Sequence, residues 1–205
     1  MADHQGFAIV TAALHALTQD AVAAVVPGAT VQIGPPRTTG ADPDKLAITL
    51  TLYHVAANAG WRNADLPARE AGGGIRTALP LAFDLTYCIA IAGGERLTSA
   101  RLLGALAASF AGHSLLNPAT LAAVRAADGD YPELAVAGAA APAAPAEPVR
   151  LTPHYPTPAD AAALWSGLFA LPHQPSLHAI ASPVLIAPGN SPAGPLPVTE
   201  APRDL

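Results

Sequence analysis

Period-two alternation in two separate stretches restricts this chain more than any other feature. Leu46, Ile48, Leu50 and Leu52 alternate with Ala47, Thr49, Thr51 and Tyr53; Leu81, Phe83, Leu85, Tyr87, Ile89 and Ile91 alternate with Ala82, Asp84, Thr86 and Cys88. Successive side chains of a strand point to opposite faces, so each stretch reads as a strand with one strongly apolar face, and the two are expected to share a sheet. On that pattern Leu50, Leu52, Phe83 and Leu85 belong to the core. His54 would end the apolar face of the first strand as a partly buried histidine bonded to backbone rather than as a catalytic base. The polar, Gly-rich stretch 56–79 between the strands is too long for a tight hairpin and reads as a working loop.

Helical spacing flanks this sheet. Phe7, Val10, Leu14, Leu17 and Ala21 fall at three- and four-residue steps, which predicts an amphipathic helix over 7–25 that Pro27-Gly28 stops. A short strand over 30–33 follows, then a loop over 34–44. Thr98 or Ser99 is placed to cap a helix carrying Leu102, Leu103, Leu106 and Phe110, and Asn117-Pro118 supplies a cap and a first-turn proline for another. The Ala/Pro stretch 138–148 reads as a long surface loop. Thr157-Pro158-Ala159-Asp160 has the form of a capping box, with Ala161, Leu164, Trp165 and Leu168 at helical steps behind it, so Leu164, Trp165 and Leu168 join the expected core. An apolar segment over 177–186 suits a last strand. The expectation is one α/β (α+β) domain over 1–187, a mixed, mostly antiparallel sheet flanked by helices, and a Pro-rich disordered tail over 188–205.

Composition excludes several function classes. Ten basic residues against fifteen acidic ones give a net charge of -5 with no basic stripe, so nucleic acid is not expected as a partner. Charged residues make up 12% of the 205, and hydrophobic ones 51%, which argues for subunit contacts, because little charge is left to solvate a free surface. Asp3, His4 and Thr18-Gln19-Asp20 speak against a secretory signal, so synthesis in the cytoplasm is expected. The uncharged run 102–124 is interrupted by Gly104, Ser109, Gly112, His113, Asn117 and Pro118, so no membrane span is expected there. No G-x-S-x-G elbow, Walker A, G-x-G-x-x-G or C-x-x-C motif occurs, and none of the seven histidines pairs at H-x-x-x-H spacing. His173 and His178 are expected on opposite faces and His15 in solvent. No catalytic residue, cofactor or metal is therefore expected. Asp84 sits mid-strand, where a carboxylate must face water or find donors; Arg62, Arg69 and Arg76 are the natural ones, with Asp65 and Glu70 the other acids in the loop.

Several blocks read together resemble a known family. They are Leu52-Tyr53-His54-Val55 followed by Asn58 and Arg62-Asn63, then Leu66-Pro67-Ala68-Arg69, Leu79-Pro80-Leu81-Ala82 with Asp84-Leu85 and Tyr87, Leu102-Leu103-Gly104, Arg150-Leu151-Thr152-Pro153, Leu164-Trp165-Ser166 with Leu168, and Val184-Leu185-Ile186. Over about residues 6–187 this order resembles the N-terminal domain of the cap, or tail-terminator, proteins of extracellular contractile injection systems, phage-tail-like particles such as the antifeeding prophage and virulence cassettes. The resemblance implies a structural, non-enzymatic α/β domain. It implies a six-fold homo-oligomeric ring at the distal end of tube and sheath, with the sheath protein and a tube or tube-terminating protein as partners, in a released extracellular particle. This chain departs from the family pattern at 172–177 (Pro-His-Gln-Pro-Ser-Leu), has Ala179 where the family has Tyr, and carries Pro183 within the last strand, which is expected to lie at an edge or bulge there. The other readings are another tail or baseplate component, or a monomeric binding or enzymatic domain without a visible motif.

Within the long loop, Trp61, Arg62, Asn63 and Arg69, with Asp84 across from them, form the candidate interface, since Trp and Arg concentrate at energetic centres of interfaces. The alternative is that Arg62 and Arg69 only hold the loop against Asp84 and Asp65 within one subunit.

Overall fold

The computed structural model describes residues 5–39, 45–61, 80–95, 97–126, 131–134 and 148–186. Helix α1 (Gly6–Val25) precedes strand β1 (Val31–Ile33), and the two alternating stretches form β2 (Ala47–Ala57) and β3 (Leu81–Ala92). Helix α2 (Thr98–Gly112), the two-residue strand β4 (Leu115–Leu116) and helix α3 (Pro118–Ala126) follow. After a 3-10 turn at Pro132–Leu134 come β5 (Val149–His154), the short helix α4 (Pro158–Ala163) with a π turn at Leu164–Leu168, and β6 (Ser176–Ile186).

The six strands make one sheet in the order β1-β2-β3-β6-β5-β4. Only β1 runs parallel to its neighbour, β2; every other pair is antiparallel. This is the mixed, mostly antiparallel, helix-flanked sheet that the alternation predicts. The apolar faces of β2 and β3 lie side by side, Leu50 opposite Ile89 and Ile48 opposite Ile91, and α1 covers them with Ile9, Val10, Leu14 and Val22, all fully buried. Each such side chain contributes about 1.5–3 kcal/mol by leaving water. Leu50 and Leu85 are fully buried in this core, and Leu52 and Phe83 pack half-buried against it, the Phe83 ring 5.2 Å from that of Phe7. Helix α1 is long and apolar enough to cross a membrane, but its apolar face is spent on this core.

Two irregularities decide which side chains reach which face. The β2/β3 register steps from Leu52↔Tyr87 to His54↔Thr86, so β2 carries one extra residue, and everything after it changes face. His54 is therefore exposed on the face opposite α1, which corrects the expected half-buried position. The β3/β6 register steps from Phe83↔Val184 to Leu85↔Ala181, so Asp84 lies across from both Ser182 and Pro183. The strand with Pro183 is interior, flanked by β3 and β5, and the bulge is what accommodates a residue that cannot donate to the ladder.

The helix ends follow their sequences unevenly. Thr157 caps α4, its Oγ1 accepting from the Asp160 N–H at 3.2 Å and donating to Asp160 Oδ2 at 2.7 Å. Asn117 Oδ1 likewise accepts from the Thr120 N–H at 2.8 Å. Neither Thr98 nor Ser99 caps α2: the residue before the helix is Leu97, and the Thr98 N–H bonds the Glu95 carbonyl in a backbone turn instead. Strand β5 has no counterpart among the expected elements, because at six residues with Pro153 inside it lacks a long alternation; its partner β6 supplies the register.

Candidate functional site

The sheet face turned away from α1 carries Thr49, Thr51 and Tyr53 from β2, Thr86, Cys88 and Ala90 from β3, and His178 and Ile180 from β6, by the same parity that sends their neighbours to the core. The π turn after α4 lays Trp165 on this face against Cys88 and Ala90, with Tyr53, Phe169 and Leu171 around it. Trp165 is 2% exposed, as a core residue should be, but in this second, smaller cluster rather than the main one. The Phe169 N–H bonds the Leu164 carbonyl, five residues back, and the extra residue in that turn rotates the side chains beyond it. Leu168 is consequently 60% exposed, which corrects its expected inward position, and Leu164 is half-buried.

Beside this cluster the same face opens into a groove of about 660 Å³. It is lined by the apolar Leu164, Leu168, Ala163 and Ile180, by Tyr53, His54, Thr86 and His154, and by the carboxylates Asp84 and Asp160. Asp84 Oδ1 accepts from Asn58 Nδ2 at 2.7 Å and from the Ser182 hydroxyl at 2.5 Å. Asn58 Oδ1 in turn accepts the Trp61 N–H at 2.9 Å, so one amide ties the end of β2 to the β3/β6 bulge. These are donors of the kind the mid-strand carboxylate required; the arginines expected from the loop, Arg62, Arg69 and Arg76, lie outside the described residues, as do Asn63, Asp65 and Glu70. Of the candidate interface the structure describes Trp61, which is 36% exposed, and Asp84, which is half-buried.

Behind the groove sits a histidine pair. His154 and His178 are register partners on β5 and β6, their ring centroids 6.4 Å apart, and Tyr53 meets His178 edge-on at 5.7 Å. His178 is buried; Ser176 Oγ is 3.2 Å from its Nε2, and its Nδ1 has no partner among the described residues. Burial, with the nearby His154 and His173 adding to it, lowers its pKa to about 4, so the ring is neutral at physiological pH. Burial pushes the Cys88 thiol up to about 12, which keeps it protonated and a poor nucleophile, and raises Tyr53 as well. His173 precedes β6, so strand parity does not govern it; its ring packs on Trp165 at 5.7 Å, on the same side as His178 rather than the opposite one. His15 is half-buried, not in solvent: Nε2 donates to the Val31 carbonyl at 3.0 Å and Nδ1 lies 2.8 Å from the Tyr131 hydroxyl, because β1 and the 131–134 segment enclose that flank of α1. Among the described residues no group of three or more His, Cys, Asp or Glu is placed to hold a metal ion. The arrangement suits packing against another surface: a largely apolar groove with two carboxylates in its lining.

Comparison with known proteins places the chain in a family and matches its fold. A family model described as the Pvc16 N-terminal domain matches residues 9–200. Among solved structures, the chain is similar to the PVC sheath/tube terminator of an extracellular contractile injection system in its extended state, at 9% identity and a TM-score of 0.54 over 94% of this chain and 62% of that one. It is also similar to the anti-feeding prophage cap, the AFP tube terminating cap, at 14% identity and a TM-score of 0.53 over 93% of this chain and 59% of that one. The chain thus spans about 60% of the length of the terminators it matches, and the likeness is one of fold. No curated protein matches significantly.

Proposed function

The chain belongs to the Pvc16 N-terminal domain family, and from that premise we propose that it is a structural terminator of a contractile injection particle. In this reading it forms a ring, a hexamer by the symmetry of the particle, at the distal end of tube and sheath, where it offers the growing polymers an end that no further subunit can join. Its partners are copies of itself, the sheath protein and the tube or a tube-terminating protein. It works by geometry and not by catalysis, is made in the cytoplasm and leaves the cell as part of the particle. The observation that carries the reading is the family match along nearly the whole chain, supported by the terminator fold of both solved neighbours. The low charged fraction and the apolar groove lined by two carboxylates agree with a surface meant for other subunits. Burial keeps the Cys88 thiol protonated, and Asp84 is hydrogen-bonded by Asn58 and Ser182.

The test is deletion of the gene in a producing cell, with electron microscopy of the particles. Tails of irregular length, or sheaths that come loose, are expected. Uniform, stable, contractile particles from such cells would refute the terminator reading.

A further inference from the structure

The groove has two carboxylates among its lining residues, Asp84 and the exposed Asp160, and no cation among its described lining residues, while Leu168, which also lines it, stands 60% exposed. An apolar surface bearing a cation would complement it. The outward side of α2 is such a surface. Leu97, at the cap position, is 70% exposed, and the Arg101 N–H bonds its carbonyl at 2.9 Å, which puts exposed Arg101 one turn away on the same side. Beyond it Gly104, Ala107, Ala108 and Ala111 continue the exposed side with no charge at all, where a solvated helix face is ordinarily polar.

The positions of the two patches matter as much as their chemistry. Helix α2 lies on the covered face of the sheet and begins just past the end of β3; the groove opens on the other face, at Asp84 and Thr86 near the start of β3. From Thr86 to Ala92, the end of β3, the strand rises over six residues, about 20 Å at ~3.3 Å per residue. The patches therefore point away from each other, as a ring of more than two subunits requires, each subunit showing one surface to the neighbour ahead and a different one to the neighbour behind. Another exposed apolar and cationic pair among the described residues, Leu115 opposite Arg150, does not meet this requirement. Arg150 shares the parity of His154 on β5 and so stands on the groove's own face.

We propose that a second copy of this chain fills the groove: Leu97 of one subunit packs against Leu164 and Leu168 of the next, and Arg101 reaches Asp160. The contact deepens the ring reading and rests on it. Light scattering and sedimentation of the full chain test it, with circular dichroism as the control for folding. Arg101→Glu and Asp160→Arg, both exposed, should each weaken self-association at least about tenfold, and the double variant should recover most of the loss. Asp160 also takes part in the α4 cap, so Leu168→Glu, outside the cap, serves as a second groove variant and should weaken association as well. Unchanged self-association in all three single variants would overturn this contact and leave the ring standing. Normal self-association with lost binding to sheath protein would put a sheath segment in the groove, and so overturn it too. A wild-type chain that stays monomeric at every concentration, alone and with sheath, would overturn the ring reading and this contact with it.

Discussion

Lowering the pH from 7 to 5 should cost this fold stability through His178, and the structure sets the size of the loss. In the unfolded chain an imidazole titrates near 6.5; in the fold, burial against Tyr53 and β3, with His154 and His173 close by, brings His178 down to about 4. Between those values the unfolded state binds the proton and the native state does not, so stability is whole above about pH 6.5 and is lost as the pH falls toward 4. Linkage over this window gives about 1–2 kcal/mol between pH 7 and pH 5. Urea unfolding at pH 7, 6 and 5 for the wild type and for His178→Leu reads the effect as a difference in slope. Leucine fills the site without a titrating group or an unpartnered Nδ1, so the other histidines contribute equally to both proteins and cancel. The variant should lose about 1–2 kcal/mol less than the wild type over the window. Parallel pH dependence in the two proteins would show that His178 is not held neutral by its burial.

Trp165→Ala should destabilise by about 2–4 kcal/mol in the same titration: emptying a large buried site costs about 3–5 kcal/mol, and relief of the unpartnered Nε1 returns about 1. A loss under about 1 kcal/mol would show that the second cluster does not hold the π turn down. Gly6→Val should cost about 1–3 kcal/mol, because a Cβ at residue 6 would stand 2.7 Å from Ile186 Cδ1 and 3.3 Å from the Leu185 carbonyl oxygen, where α1 meets β6; an unchanged thermal midpoint would mean that this contact gives way freely. Trp61→Ala with Arg62→Ala should leave the monomer folded, within about 1 kcal/mol, and weaken ring formation or docking on sheath in a pull-down. A collapsed melt with unchanged assembly in the surviving fraction would assign the loop to the fold.

Alternation, helical spacing and capping residues acted locally, and so they determined a great deal here without help. Leu46 to Leu52 and Leu81 to Ile91 specified two strands with one apolar face each, Phe7 to Ala21 a core helix, and Thr157 with Asp160 the start of another, since each signal depends on residues within a few positions of one another. The tertiary structure alone decided the outcome at the places where register breaks. One extra residue in β2 sends His54 to the groove, a bulge at Ser182 and Pro183 keeps a proline strand in the middle of the sheet, and one longer helical turn exposes Leu168 while burying Trp165. Asp84 needed donors, a need plain from its place in a strand, yet Ser182 lies 98 residues further along the chain. The histidine pair His154 and His178 exists only because β5 and β6 align. Local periodicity fixes which side a residue faces only as long as the period is unbroken, and a bulge or π turn is fixed by the partner strand or the surface beneath, which no window of neighbouring residues contains.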